Sequence, residues 1–253
     1  MSLGSRGRRM FEPQQLFATY LRQQIELGTP DYYFSRGLDC SSLVREDGPH
    51  AGRREHPREE KEDARARMAA LFHACRDCRN CPLAASRGKL VFGAGNVHAR
   101  LMVIGEAPGA EEDRRGLPFV GAAGELLTKM LRAIKLDRKA DTFIGNVLKC
   151  RPPGNRSPNS EEIRACIPLL KQQIEIISPD ILLLLGRSAA QTVLNTPAGI
   201  GRLRGEIHSY EGIPVVVTYH PAALLRNADL KRPAWEDLQK VEKLLAGREH
   251  NGT

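Results

Sequence analysis

Beyond residue 70, short runs of β-branched and aliphatic residues alternate with longer stretches whose apolar positions follow a helical period. The runs that predict strands cover residues 100–105, 142–146, 181–186 and 215–219. The stretches that predict helices cover residues 124–135, 160–178, 188–194 and 235–245. Strands that alternate with helices form parallel sheets with helices packed on both faces. We therefore predict a three-layer α/β/α sandwich around a central, mostly parallel four-stranded sheet.

The first part of the chain has a different character. Apolar residues at helical spacing over residues 9–28 predict an amphipathic helix, within an N-terminal helical extension that we place at 1–44. Residues 45–67 are nearly all charged or turn-forming, so we interpret 45–70 as a solvated linker. The folded domain is then expected at 71–248.

The charge balance favours a partner with phosphate groups. The chain carries 38 Lys and Arg against 30 Asp and Glu, a formal net charge of +8. Such an excess permits a basic face that attracts nucleic acid, although it does not require one. No apolar run approaches the roughly 20 residues of a membrane span, and the basic N-terminus leads into a segment with charges and glutamines rather than a signal-peptide core. We expect a cytoplasmic monomer that does not interact with membranes.

The connection after the first predicted strand is rich in glycine and proline. It has the sequence GEAPGAEEDRRGLPFVGAAGELL over residues 105–127, and its small residues allow the backbone to approach a ligand closely. Neither glycine-rich signature of nucleotide-binding loops is present, and the carboxylate of Glu106 would repel a phosphate. Because ligands of parallel sheets bind beyond the carboxyl ends of the strands, we expect something other than a nucleotide cofactor to bind here.

This segment resembles the first motif of the family-four, or iron–sulfur, uracil-DNA glycosylases, in which G-E-A-P-G and an acidic stretch precede P-F-V-G-x-A-G. Three further blocks agree with that family in order and spacing: CRNCPLAASR at 78–87, GNVLKCRPPGNRSP at 145–158 and HPAALLRN at 220–227. The resemblance covers residues 75–245. It implies a DNA repair enzyme that hydrolyses the N-glycosidic bond of uracil in DNA and leaves an abasic site.

The resemblance also implies a role for each residue of the base pocket. Glu106 would position the attacking water, and His220 would donate a hydrogen bond to O2 of the departing uracil. Phe119 would stack on the flipped base, although it could also be a core residue. Asn146 would face O4 and N3, and its amide, which donates and accepts, would favour uracil over cytosine. The implied substrate-binding set is Gly105, Ala107, Phe119, Asn146 and His220.

Residues of the third and fourth blocks are expected to contact DNA. Leu224 or Leu225 would wedge into the duplex where the nucleotide leaves the stack, unless both belong to a helix core. The basic residues expected to face the DNA backbone are Lys149, Arg151, Arg156 and Arg226.

The cysteines indicate a metal site. Six occur in a sequence with no recognisable export signal, where disulfides are rare and clustered thiols more often hold a metal. The spacing suits zinc or a cubane cluster equally, and only the resemblance favours a structural [4Fe-4S] cluster over zinc. Cys75 lies three residues before Cys78 and could replace one of the ligands, whereas Cys40 has no assigned role. The ligands that the resemblance implies are Cys78, Cys81, Cys150 and Cys166.

Three other interpretations compete with this one. One branch of the superfamily binds uracil covalently through a histidine in an arginine-rich insertion, but residues 151–165 contain no histidine, which disfavours that interpretation. A metal-stapled DNA-binding or polymerase-associated module would need the cysteines and the basic residues, but not the acid, ring, amide and imidazole together. A glycosylase with a looser pocket could also accept hypoxanthine or xanthine.

Overall fold

A computed structural model describes the backbone of residues 58–250 and the side chains of residues 63–247. The helices in this part of the chain are α1 Arg58–Cys75, α2 Ala110–Arg115, α3 Ala122–Ala133, α4 Ser160–Ile177, α5 Arg187–Val193, α6 Ile200–Leu203, α7 Pro221–Arg226 and α8 Lys231–His250. The strands are β1 Ala94–Gly95, β2 Leu101–Gly105, β3 Thr142–Asn146, β4 Ile181–Leu185, β5 Ile207–Tyr210 and β6 Ile213–Thr218. Within residues 58–250, each helix is too short or too polar to span a lipid bilayer. The predicted helix at 9–28 and the predicted extension at 1–44 lie outside the described residues.

The sheet contains all four predicted strands, which pair in parallel in the order β3, β2, β4, β6. Two further strands, β1 and β5, pair antiparallel with the outer edges of this set. The prediction of a four-stranded sheet is therefore corrected: within residues 58–250 the sheet has six strands. The added strands are only two and four residues long, too short for a periodic pattern to show in the sequence.

Alternate residues of the central strands enter two hydrophobic cores on opposite faces of the sheet. Met102 and Ile104 of β2 pack with residues of α1, α4 and α5, whereas Leu101 and Val103 pack with residues of α3 and α8. A strand buried on both faces has no polar side, which explains the uninterrupted apolar sequence of β4. The described chain is thus a mixed α/β structure with helices on both faces of the sheet.

Helix α1 occupies much of the segment predicted as a charged linker at 45–70, and that part of the prediction is wrong. Met68 and Phe72 are buried, and the Phe72 ring packs edge-on against the Phe92 ring with centroids 5.4 Å apart. The charged residues before them include Arg67, which donates to Glu175 of α4 at 2.7 Å. The segment is highly charged because one face of the helix is solvated. The hydrophobic core therefore begins before residue 71.

The parallel strands end at one edge of the sheet. Gly105 is the last residue of β2 and lies opposite Asn146, the last residue of β3. Strand β6 ends at Thr218, and His220 follows it as the N-cap residue of α7. Residues far apart in the sequence are therefore brought to the same edge, where open parallel sheets bind their ligands.

Candidate active site and cysteine cluster

Three of the predicted pocket side chains meet around Gly105. A Cβ atom on Gly105 would collide with Asn146 Oδ1 and would lie 2.7 Å from Phe119 Cζ. The Phe119 ring in turn lies 5.6 Å from the His220 ring, centroid to centroid, at an interplanar angle of 31°. The structure thus brings Asn146, Phe119 and His220 together. The missing side chain at position 105 allows both the amide and the aromatic ring to pack against the backbone of Gly105.

The side chain of Asn146 is poised to bind a hydrogen-bond donor. It is 1% exposed, and its Oδ1 has no hydrogen-bond partner among the described residues. A buried acceptor without a donor is unfavourable, since it has lost its water and gained nothing in return. An N–H group on a bound pyrimidine would satisfy this oxygen.

His220 is fixed in one orientation by its own helix. Its Nδ1 accepts a hydrogen bond from the backbone N–H of Ala222 at 3.2 Å. The neutral ring therefore carries its proton on Nε2, which is left as a donor. Burial and, to a smaller extent, the charge of Arg226 lower the pKa of His220 to about 4, while the charge of Glu112 opposes both. The imidazole is consequently a neutral hydrogen-bond donor at physiological pH.

Glu106 follows Gly105 directly and adjoins the pocket. Burial raises its pKa, whereas a hydrogen bond with the Ser157 side chain and the charge of Arg187 lower it. Ser157 lies in the loop between β3 and α4, and Arg187 begins α5, so two further loops meet at this carboxylate. A carboxylate oriented in this way can hold a water molecule by a hydrogen bond. Ala107, the next residue along the chain, is partly buried against the core that α1, α4 and α5 cover.

The two leucines predicted as alternatives for the DNA wedge have different environments. Leu224 is 3% exposed and belongs to the core that α3 and α8 share. Leu225 is 52% exposed, and the neighbouring Arg226 at the end of α7 is exposed as well. Leu224 is therefore placed as a core residue, and Leu225 is the one available to a duplex.

Arg156 is engaged in an ion pair within the protein. Its guanidinium donates to both carboxylate oxygens of Glu162, a residue with 1% side-chain exposure. Glu162 also accepts from the backbone N–H of Asn159, whose side chain accepts from the Glu162 N–H, a reciprocal capping box at the start of α4. Arg151 is partly buried and donates to Asn155 Oδ1 at 2.7 Å. These contacts fix the loop that carries Ser157.

Lys149 does not face DNA, and that prediction is wrong. The side chain is fully buried, and its Nζ donates to the Asn146 carbonyl at 2.8 Å and to Gln173 Oε1 at 2.6 Å. The buried ammonium group of Lys149 therefore fixes the backbone of Asn146 through the hydrogen bond to its carbonyl. Burial raises the pKa of the Cys75 and Cys166 thiols, and the charge of Lys149, which lies near both, offsets part of that rise.

The predicted ligand cysteines pack in one region between α1, the end of β3 and α4. Cys150 and Cys166 are buried, while Cys78 and Cys81 are partly buried against the same core. Burial raises the pKa of Cys150 and raises that of Cys166 to about 11, so these thiols would ionise only with a positive group beside them. Among the described side chains, no three of His, Cys, Asp or Glu converge closely enough to hold a single metal ion.

The surroundings of these sulfurs suit thiolates. Arg87 donates to Cys150 Sγ at 3.5 Å and to the Cys78 carbonyl at 2.7 Å, and the Lys149 backbone N–H donates to Cys166 Sγ at 3.3 Å. Hydrogen-bond donors around cysteine sulfurs are typical of sites that hold iron–sulfur clusters. The donor set therefore fits a group bound through four thiolates. The thiol of Cys75 instead donates to the Phe72 carbonyl within α1 at 3.5 Å.

Several residues that shape the site were missed in the sequence. Ser157 and Arg87 lie inside recognised blocks, so their positions were a usable signal. Their contacts with Glu106 and Cys150, however, each join residues more than 45 positions apart in the chain. Arg138 lies outside every block. It donates to the Pro118 carbonyl at 2.8 Å, a contact that no sequence pattern indicates.

Comparisons with known proteins agree with this geometry. The family model described as "Uracil DNA glycosylase superfamily" matches residues 92–239. The chain is 43% identical over 175 residues to the type-4 uracil-DNA glycosylase of Archaeoglobus fulgidus, an alignment that covers 66% of this chain and 87% of that protein. It is 42% identical to the type-4 enzyme of Saccharolobus solfataricus, over 68% of this chain and 84% of that protein. It is 43% identical to the type-4 enzyme of Thermotoga maritima, over 70% of this chain and 94% of that protein. The chain therefore belongs to the uracil-DNA glycosylase superfamily and, within it, to the type-4 uracil-DNA glycosylases.

Proposed function

We propose that this protein is a monofunctional uracil-DNA glycosylase that hydrolyses the N-glycosidic bond of uracil in DNA and leaves an abasic site. The observation that carries the proposal is the meeting of Asn146, Phe119 and His220 around the bare backbone of Gly105. A DNA-binding module without turnover would have no need for this arrangement. Family membership supports the same activity.

Recognition of the base divides between a ring and an amide. The Phe119 ring supplies a face for stacking, which every base can use. Asn146 makes the pocket selective for uracil, because its unpaired Oδ1 accepts from N3–H of uracil while its NH₂ donates to O4. Cytosine has no hydrogen on N3, so it would leave the buried oxygen unpaired, at a cost of about 1–3 kcal/mol.

The bond to the base breaks heterolytically. Uracil leaves with the electron pair on N1, and the negative charge spreads to O2, where Nε2–H of His220 donates a hydrogen bond. Because its pKa is about 4, the ring acts as a neutral donor and need not transfer its proton. Glu106 holds the water that adds to C1′ of the sugar, and its charge favours the oxocarbenium character there. The proton that the water releases is balanced by protonation of the departed uracil anion.

The DNA partner is held by residues at the end of α7. Leu225 fills the gap in the stack from which the nucleotide leaves, and Arg226 binds a neighbouring phosphate. Arg151 lies on the loop after β3, at the same edge of the sheet, and contributes positive charge beside the pocket. Arg156 contributes through its bond to Glu162, which fixes that loop.

A structural [4Fe-4S] cluster is the second part of the proposal. Cys78, Cys81, Cys150 and Cys166 would hold it, supported by the N–H donors of Arg87 and Lys149 to the sulfurs. When bound, the cluster would cross-link the segment after α1 to the loop before α4, and glycosidic hydrolysis requires no electron transfer from it. The hydrogen bond of Cys75 to Phe72 supports leaving this thiol out of the ligand set.

The test uses purified protein and an oligonucleotide with a single uracil, followed by alkali to cleave abasic sites. Wild type should give strand scission, and His220→Ala should lower kcat by about 10²-fold, as expected for a lost donor to a developing oxyanion. His208→Ala is the matched control, since His208 is partly buried and bonds to the Leu203 carbonyl at the edge strand. Wild-type protein that binds the oligonucleotide but never cleaves it would identify a binding module instead.

A further inference from the structure

The backbone at Phe119 is held in a conformation that it would not adopt unaided. Its φ is +52°, in the left-handed region that residues other than glycine rarely occupy. Such a conformation persists only where surrounding contacts determine it, and it is frequent at ligand-binding positions. The contacts that hold Phe119 should therefore matter for the ring that stacks on the base.

The two peptide groups that flank Phe119 are each bound by a side chain from elsewhere in the fold. Arg138 Nη2 donates to the Pro118 carbonyl at 2.8 Å. On the other side, Glu112 Oε1 accepts from the backbone N–H of Val120 at 2.8 Å and of Gly121 at 3.1 Å. The backbone is therefore held on both sides of Phe119. The Arg138 guanidinium binds the carbonyl before it, and the Glu112 carboxylate binds the two N–H groups after it.

Arg138 is itself immobilised by helix α3. Its Nη1 donates to the Gly124 carbonyl at 3.1 Å and to Thr128 Oγ1 at 3.0 Å. The backbone of Gly124 lies directly against Phe119, because a Cβ there would overlap the Phe119 carbonyl. The planar guanidinium therefore ties the Phe119 loop to the first turn of α3 with a geometry that a lysine cannot reproduce.

We propose that Arg138 and Glu112 are positioning residues that set the angle of the Phe119 ring and so determine how tightly the everted pyrimidine is held. This inference rests on the proposed function. The ring centroid lies 5.6 Å from that of His220, and Phe119 Cζ lies 2.7 Å from the position of a Cβ on Gly105, so a rotation of the ring would move it relative to both His220 and the backbone of Gly105. Arg138 acts on the base only through Phe119.

The first experiment is a double-mutant cycle. Arg138→Met should raise both KM and the inhibition constant of free uracil by about 10-fold, the range expected for loss of base stacking, with a smaller change in kcat. Phe119→Ala should have a similar effect. Adding Arg138→Met to Phe119→Ala should then change either constant by less than about twofold, because no ring remains to be positioned.

Glu112 is tested by two variants that both remove its charge. Glu112→Gln keeps an oxygen that can accept from Val120 and Gly121, whereas Glu112→Ala does not. The inhibition constant of uracil should therefore stay near wild type for the glutamine variant and rise about 10-fold for the alanine variant. Comparing the two cancels the influence of the Glu112 charge on His220.

Arg100→Met is the matched control for folding. Arg100 donates to Asp180 and to the Leu245 carbonyl, both at 2.7 Å, at the amino end of β2 and so at the opposite edge of the sheet. It should lower the melting temperature without changing the inhibition constant of uracil. Additive effects of the arginine and phenylalanine variants would overturn the inference. Wild-type protein inert on uracil-DNA would overturn the proposed function instead.

Discussion

Replacing Gly105 by alanine should disable the pocket while leaving most of the fold intact. The new Cβ would lie 2.7 Å from Phe119 Cζ and would collide with Asn146 Oδ1. Carbon atoms in contact prefer separations of about 3.5–4.0 Å, so the ring would have to retreat by about 1 Å. Both groups that hold the base would move together.

The size of the effect follows from that displacement. A misplacement of about 1 Å in a binding group commonly costs on the order of 10²-fold in rate, so we expect kcat/KM on uracil-DNA to fall by about 10²-fold. Overpacking of this kind lowers the free energy of unfolding by about 1–3 kcal/mol, which leaves a stable domain folded.

The assay is single-turnover cleavage of a uracil oligonucleotide, with the melting temperature measured on the same preparation. Gly201→Ala is the matched control, because a Cβ there meets nothing within 4 Å. Its activity should equal that of wild type. If folded Gly105→Ala cleaved uracil-DNA within about twofold of wild type, the Phe119 ring and the Asn146 amide would not be the groups that hold the base.

Three further outcomes follow from the structure. Burial raises the pKa of Glu106, and only the ionised form orients the water, so kcat/KM should fall as the pH drops through that pKa; an unchanged acid limb in Glu106→Gln would contradict this. Leu225→Ala should leave the melting temperature unchanged and weaken activity on double-stranded more than on single-stranded DNA, whereas Leu224→Ala should lower the free energy of unfolding by about 2–5 kcal/mol; the opposite pattern would exchange their roles. Cys166→Ser should reduce bound iron and the broad visible absorption of the purified protein, while Cys75→Ser should retain both; equal loss in the two variants would place Cys75 among the ligands.

The sequence predicted the parallel part of the sheet because its strands are buried on both faces. Residues 142–146 were predicted as a strand with the bounds that the structure has. The aliphatic run of β4 was equally visible, because helices cover both faces of the sheet and leave that strand no polar side. The short edge strands β1 and β5 lacked that signal. The first part of helix α1 was interpreted as a linker because its solvated residues are so highly charged.

The local sequence indicated which side chains form the site, but not which residues hold those side chains in place. The motifs that resemble those of the family-four uracil-DNA glycosylases named Glu106, Phe119, Asn146 and His220, because each role requires a particular functional group. Nothing local could show that Lys149 is buried beneath Asn146 or that Leu224 faces the core. Nor could it show that Arg138 and Glu112 bind the peptides around Phe119. Those facts depend on which segments the fold brings together, because hydrogen bonding and burial are set by distance in space and not by separation along the chain.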